Sequence, residues 1–116
     1  MPEKHVLVVD DELPVRELVA GMLRHLGYTS QTAASGPDAI TLIETATFNL
    51  LIADLNMPGM SGDQLAVEAK RRNPTLPVLL ITGAQPTGLP PGIDRVLHKP
   101  FTLSQLREAI TALIGG

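Results

Sequence analysis

The chain has 116 residues, 44% hydrophobic and 18% charged, with a formal net charge of −3. That balance suits one globular domain, residues 1–116, burying about two-thirds of its unfolded surface, and it argues against a disordered segment or a basic nucleic-acid surface. The lack of cysteine excludes disulfides, thiolate catalysis and Cys-ligated zinc. No apolar run approaches the about 20 residues of a bilayer helix, and Met-Pro-Glu-Lys-His begins no signal-peptide core. The expectation is a cytoplasmic domain without membrane contact of its own.

Strand and helix signals alternate along the chain. His5–Asp10 (HVLVVD) is a β-branched run closed by acids, the pattern of a buried strand. Pro14 suits a first helical turn, and Leu18, Val19, Met22, Leu23 and Leu26 follow at helical spacing; Gly27 ends that helix in the manner of a left-handed cap. This spacing places Leu18, Val19 and Met22 in the core. Tyr28–Ala34 is a weaker strand. Ser35, with Asp38 three residues on and Pro37 between, opens a helix carrying Ala39, Leu42 and Ile43.

Asn49–Asp54 (NLLIAD) is a second buried run ending in an acid. Ser61 and Gln64 make a capping-box pattern ahead of Leu65, Ala66 and Ala69. Pro77–Thr82 (PVLLIT) is a fourth strand and Arg95–His98 a short fifth. Thr102 and Gln105 repeat the capping box before Leu106, Ala109, Ile110 and Leu113, which share a helical face. Strands apolar along their whole length, alternating with amphipathic helices, predict a parallel sheet covered on both faces. Ligands of such sheets bind beyond the carboxyl ends of the strands.

Those ends carry the chemistry. The first strand ends Asp10-Asp11-Glu12, the third at Asp54, the fourth at Thr82, and Lys99-Pro100 follows the fifth. A single Asp at a strand end is ordinarily a cap or a solvated group. Three that converge beside a threonine and a lysine call for another explanation, because two carboxylates about 4 Å apart repel by about 4 kcal/mol at an effective dielectric near 20. Such a cluster takes up a proton or holds a divalent cation, and oxygen-only donors favour Mg²⁺. Asp54 is a carboxylate able to attack a phosphoryl group, while Lys99 and Thr82 can stabilise its oxygens.

Val8-Val9-Asp10-Asp11, Asp54-x-x-Met57-Pro58-x-Met60-x-Gly62, Thr82-Gly83 and Lys99-Pro100-Phe101 together resemble the receiver domain of two-component response regulators. The resemblance covers essentially the whole chain. It implies a flavodoxin-like (βα)5 three-layer α/β fold with sheet order 2-1-3-4-5 and a cis Lys99–Pro100 bond. It implies that Asp54 accepts phosphate from a histidine kinase or histidine phosphotransfer protein. Asp11, Asp54 and the main-chain carbonyl of Asn56 would ligate Mg²⁺, Asp10 would reach it mainly through water, and Thr82 and Lys99 would bind the phosphoryl group. The domain would be a switch with slow self-dephosphorylation, and no metabolic enzyme.

Two departures from that pattern stand out. Val96 occupies the position, three before the lysine, where the family usually has an aromatic that moves with the threonine. The segment GAQPTGLPPG (83–92) holds three prolines and three glycines, which disfavour a helix, so the family's fourth helix is expected to be shortened or absent. Dimerisation through that face would go with it, leaving a monomer or weak dimer. The wider pattern is most like receivers joined to hybrid sensor histidine kinases, with a stand-alone regulator the runner-up. Neither implies direct DNA binding.

His5, His25 and His98 lack metal-ligand spacing and are expected to be ordinary surface groups, with His98 a candidate for tuning the pocket. Lys70-Arg71-Arg72 suits a solvated helix end, and Pro14 and Val15 are candidate phosphodonor contacts. Two other classes compete. A Mg²⁺-dependent phosphohydrolase with an Asp nucleophile would place its second acid two residues on, whereas Asp10 and Asp11 are adjacent. A phosphorylation-independent scaffold would be expected to have lost an acid or the lysine.

Overall fold

Among the described residues five short parallel strands are interleaved with four helices. They are β1 (His5–Val9), α1 (Leu13–His25), β2 (Thr29–Ala33), α2 (Gly36–Thr45), β3 (Leu50–Asp54), α3 (Gly62–Arg72), β4 (Val78–Thr82), β5 (Arg95–His98) and α4 (Leu103–Ile114). The computed structural model describes residues 4–83 and 88–115. The sheet order is β2-β1-β3-β4-β5, as the family resemblance implied.

Each central strand is buried on both faces, so alternate residues feed two separate apolar layers. Leu7, Val9, Leu51, Ala53 and Leu80 face Ala39 of α2 and Leu65, Ala66 and Ala69 of α3. Val6, Val8, Leu50, Ile52, Leu79 and Ile81 face Val19 and Leu23 of α1 and Leu106, Ala109 and Ile110 of α4. At about 1.5–3 kcal/mol per large apolar side chain removed from water, these layers are the main force holding the domain together. β2, polar at Thr29, Ser30, Gln31 and Thr32, lies on an edge and pairs only with β1.

Local sequence sets the helix ends. Ser35 Oγ accepts from Asp38 N at 3.3 Å. Thr102 Oγ1 accepts from Gln105 N at 3.1 Å while Gln105 Oε1 accepts from Thr102 N at 2.8 Å, a reciprocal capping box. Gly27, with φ +94°, takes the left-handed turn after α1. β4 starts at Val78, one residue later than the apolar run, because Pro77 has no N–H to give the ladder.

Three expectations change. Leu18 is 63% exposed, not core; the buried face of α1 is centred on Val19 and Leu23, and Leu18 lies one residue, about 100°, around the helix from Val19. Met22 is half-buried against the same layer. His5 is also more than a surface group. Its ring is stacked on Phe48 at 5.1 Å, with Nδ1 2.7 Å from Thr29 Oγ1.

Between β4 and β5 no helix forms among the described residues; positions 84–87 of the Pro/Gly-rich segment lie outside them. The end of the segment and the residues after it pack on α3. A Cβ on Gly92 would come within 3.1 Å of the Ala66 carbonyl carbon, Ile93 is buried, and half-buried Val96 packs against the same layer. Asp94 then fixes the start of β5. Its N donates to Val78 O at 3.0 Å, and its Oδ2 accepts from Val78 N and Lys70 Nζ, each at 2.8 Å.

Candidate functional site

The order β2-β1-β3 places the carboxyl ends of β1 and β3 side by side where the sheet reverses its winding, the position at which such sheets bind ligands. Asp10 follows β1 directly and is 2% exposed; Asp54 closes β3 and is 6% exposed. Asp54 is in register with Ile81, so the next residue along β4 is the fully buried Thr82. Thr82 is in turn in register with His98, and its carbonyl accepts from Lys99 N at 2.9 Å. The peptide after Lys99, to Pro100, is cis. Through this relay Lys99 Nζ comes to lie 3.2 Å from Asp54 Oδ1 and 3.5 Å from Asp10 Oδ2.

Charge is unevenly matched here. Burial pushes the Asp54 carboxyl above its ordinary value; the hydrogen bond and charge of Lys99 oppose this, and the charges of Asp10 and Asp11 add to it. For Lys99 burial works against the charged form, but its bonds to and the charges of Asp54 and Asp10 prevail and hold the amine above its ordinary value. The two upward shifts have different causes: burial raises Asp54, whereas the neighbouring carboxylates raise Lys99.

The remaining residues complete the pocket's rim. Oxygens of Asp10, Asp11 and Glu12 all lie within 4.8 Å of one another, with Asp10 buried and the other two exposed. Asp11 and Asn56 line one cavity of about 400 Å³ together with Leu55, Met57, Pro58 and Ser61. All six expected site residues therefore come together at one sheet edge: Asp10, Asp54 and Lys99 by ion pairs, Asp11 and Asn56 across the cavity, and Thr82 through the main chain of Lys99. Glu12 was not among them, although a third consecutive acid was the signal for it. The donors are all oxygens with excess negative charge, which suits a hard divalent cation.

α3 packs tightly against this site. Its first residue, Gly62, lies so close to the Asp54 carbonyl and Leu80 Cδ1 that a Cβ would collide with both. His98 is exposed, and the ion pairs of Asp10 and Asp54 are made by Lys99. Lys70, Arg71 and Arg72 are paired with Asp94, Glu68 and Glu44, as a charged helix end would be. On the α1 side of Lys99, Val15, Leu18, Val19, Met22, Pro100 and Phe101 line an apolar groove of about 410 Å³. The sequence pointed to Val15 but not to a groove, because its two walls are more than 75 residues apart.

The acidic pocket lies at the carboxyl edge of a flavodoxin-like sheet, and residues 6–111 match the response regulator receiver domain, so the chain belongs to that family. It is 35% identical over 113 residues to the chemotaxis protein CheY of Pseudomonas aeruginosa, covering 90% of this chain and 91% of that protein. It is 34% identical over 111 residues to the sensor histidine kinase RcsC of Escherichia coli, covering 91% of this chain but only 12% of the kinase. Among solved structures, the response regulator TrrA of Thermotoga maritima, in complex with Mg²⁺ and BeF, superposes with a TM-score of 0.89 at 32% identity, covering 95% of this chain and 98% of that one. The likeness thus extends both to a regulator of about this chain's length and to a small part of a much longer sensor histidine kinase. No helix among the described residues is long and apolar enough to cross a membrane.

Proposed function

We propose that Asp54 is the residue phosphorylated in this receiver, and that Asp10, Asp11, Asp54 and the Asn56 main-chain carbonyl hold Mg²⁺ beside it. The observation that carries this is the position of Lys99, whose ammonium touches the two buried carboxylates of Asp10 and Asp54 at once. A scaffold indifferent to phosphate gains little from burying two acids on one lysine, since buried ion pairs rarely stabilise more than apolar packing does. A bound Mg²⁺ would neutralise charge on the phosphoryl oxygens and help align attack.

The chain's own residues do the rest. An Asp54 carboxylate oxygen attacks the phosphorus of a phosphohistidine, forming an acyl phosphate as the P–N bond breaks; the imidazole nitrogen leaves with the electron pair and takes a proton. Lys99 gives a phosphoryl oxygen a fixed positive charge, and the Thr82 hydroxyl donates to another. The new charge biases the segment after Thr82 toward a second state. With Val96 in the aromatic's place, that segment, seated on α3 through Gly92, is the part left to respond.

Receiver domains work with histidine kinases or phosphotransfer proteins, and the apolar groove beside Lys99 is where we place that partner's docking helix. We assign the domain to the cytoplasm, as a monomer or weak dimer without direct nucleic-acid contact. It is either the receiver of a hybrid histidine kinase or a single-domain regulator. Incubation with a small-molecule phosphodonor in Mg²⁺ or in EDTA tests the reading. Phosphate uptake is expected only with Mg²⁺, and uptake of equal extent in EDTA contradicts it.

A further inference from the structure

The β1–α1 turn crowds three acids into a space of 4.8 Å, and something must hold it in shape. One contact is local, Asp10 Oδ1 accepting from Glu12 N at 2.9 Å, and one reaches the neighbouring strand, Asp10 N donating to Ala33 O at 3.2 Å. The third comes from a side chain. Arg16, half-buried in the first turns of α1, reaches back and donates from Nη1 to the Asp10 main-chain carbonyl at 2.7 Å. A charged donor at that distance makes one of the stronger hydrogen bonds available.

Helix energetics do not account for a cation at this place. The N-terminal turn of a helix favours acids and disfavours cations, and α1 already carries Arg24 and His25 in its last turn, where the dipole favours them. Side chains on a helix do lean toward its N-terminus, so Arg16 is directed at the acid turn by the geometry of the helix itself. Its partner, the Asp10 carbonyl, belongs to the peptide that sets the direction of Asp11.

We propose that Arg16 is a positioning residue for the cation site: it clamps the Asp10–Asp11 peptide so that the Asp11 carboxylate faces the cavity it shares with Asn56. This rests on the reading that these acids hold Mg²⁺. The clamp and a simple charge effect differ in sign. By Coulomb's law alone, removing a nearby positive charge strengthens Mg²⁺ binding to the acids. Removing the clamp weakens it, because the ligand loses its orientation, and loss of a group that orients a metal ligand typically costs about tenfold or more in affinity.

The test is a Mg²⁺ titration of metal-free protein followed by amide chemical shifts, with urea unfolding in EDTA run alongside. Arg16→Ala is expected to bind Mg²⁺ about tenfold more weakly than wild type, and Arg16→Lys, which retains a charged donor, to recover most of the loss. If Arg16→Ala does not fold, Arg16→Gln serves the same comparison. Binding by the folded charge-removed variant as tight as wild type, or tighter, overturns the clamp. Failure of wild type itself to bind Mg²⁺ overturns the reading of the acids, and the clamp with it.

Discussion

Lys99 Nζ stands 3.2 Å from Asp54 Oδ1, although the two residues leave strands separated by β4 in the sheet. The bond spans the pocket from one side to the other and sets a positive charge directly beside the Asp54 carboxylate. It also leaves the account unbalanced, since Asp10 and Asp11 add negative charge that one lysine does not cancel.

Burial of Asp54, reinforced by the charges of Asp10 and Asp11, gives a pH dependence with a definite sign. The folded-state pKa of Asp54 lies above its ordinary value of 3.8, so between the two values the folded protein holds the extra proton. Stability then falls as pH rises through that interval, and the ionised carboxylate carries its full penalty above it. In EDTA, Asp54→Asn is expected to be more stable than wild type at pH 7, by a few degrees in Tm. The advantage should shrink as the pH is lowered toward 3.8. Thermal unfolding of both proteins across pH measures this, and a constant difference would contradict it.

Gly62 allows α3 to start against the phosphoacceptor's own backbone. Gly62→Ala forces a Cβ into the Asp54 carbonyl and Leu80 and is expected to cost about 1–3 kcal/mol, the range for overpacking a well-filled core. It should slow phosphorylation as well, because relief of the clash moves Asp54. Gly83→Ala, whose Cβ meets nothing within 4 Å, is the control.

Asp94 and Lys70 form one ion pair but should not be equal in effect. Asp94→Ala leaves the Val78 N–H without its 2.8 Å acceptor and is expected to cost about 1–3 kcal/mol. Lys70→Ala removes only a partly exposed pair, worth about 0–1 kcal/mol. Chemical denaturation of the two variants ranks them.

The groove beside Lys99 separates the chemistry from the docking. Leu18 is exposed and lines it, away from Asp54. Leu18→Asp is expected to leave phosphorylation by a small-molecule donor unchanged while slowing transfer from a partner's phosphohistidine about tenfold or more, as loss of an interface anchor does. Equal slowing with both donors would place Leu18 in the chemistry instead.

Much of this was legible in the sequence because both periodicities were clean. NLLIAD and PVLLIT admit hardly any assignment but buried strands, and the acids closing them mark the edge where ligands gather. Two kinds of feature were not legible. Leu18 looks apolar and helical, yet which arc of α1 is covered depends on how the helix seats on β1 and β2, a fact of packing and not of spacing. The Arg16 bond to Asp10 O and the Asp94 bond to Val78 N are side-chain contacts with main-chain groups, which leave no pattern of residue types to find.

The central claim is that the phosphate sits on Asp54, and intact mass tests it most directly. Wild type and Asp54→Asn would each be incubated with a small-molecule phosphodonor and Mg²⁺ and weighed beside untreated protein. Wild type should gain the mass of one phosphoryl group and Asp54→Asn none. An equal gain by the folded Asp54→Asn protein would place the phosphate on another residue and contradict the assignment.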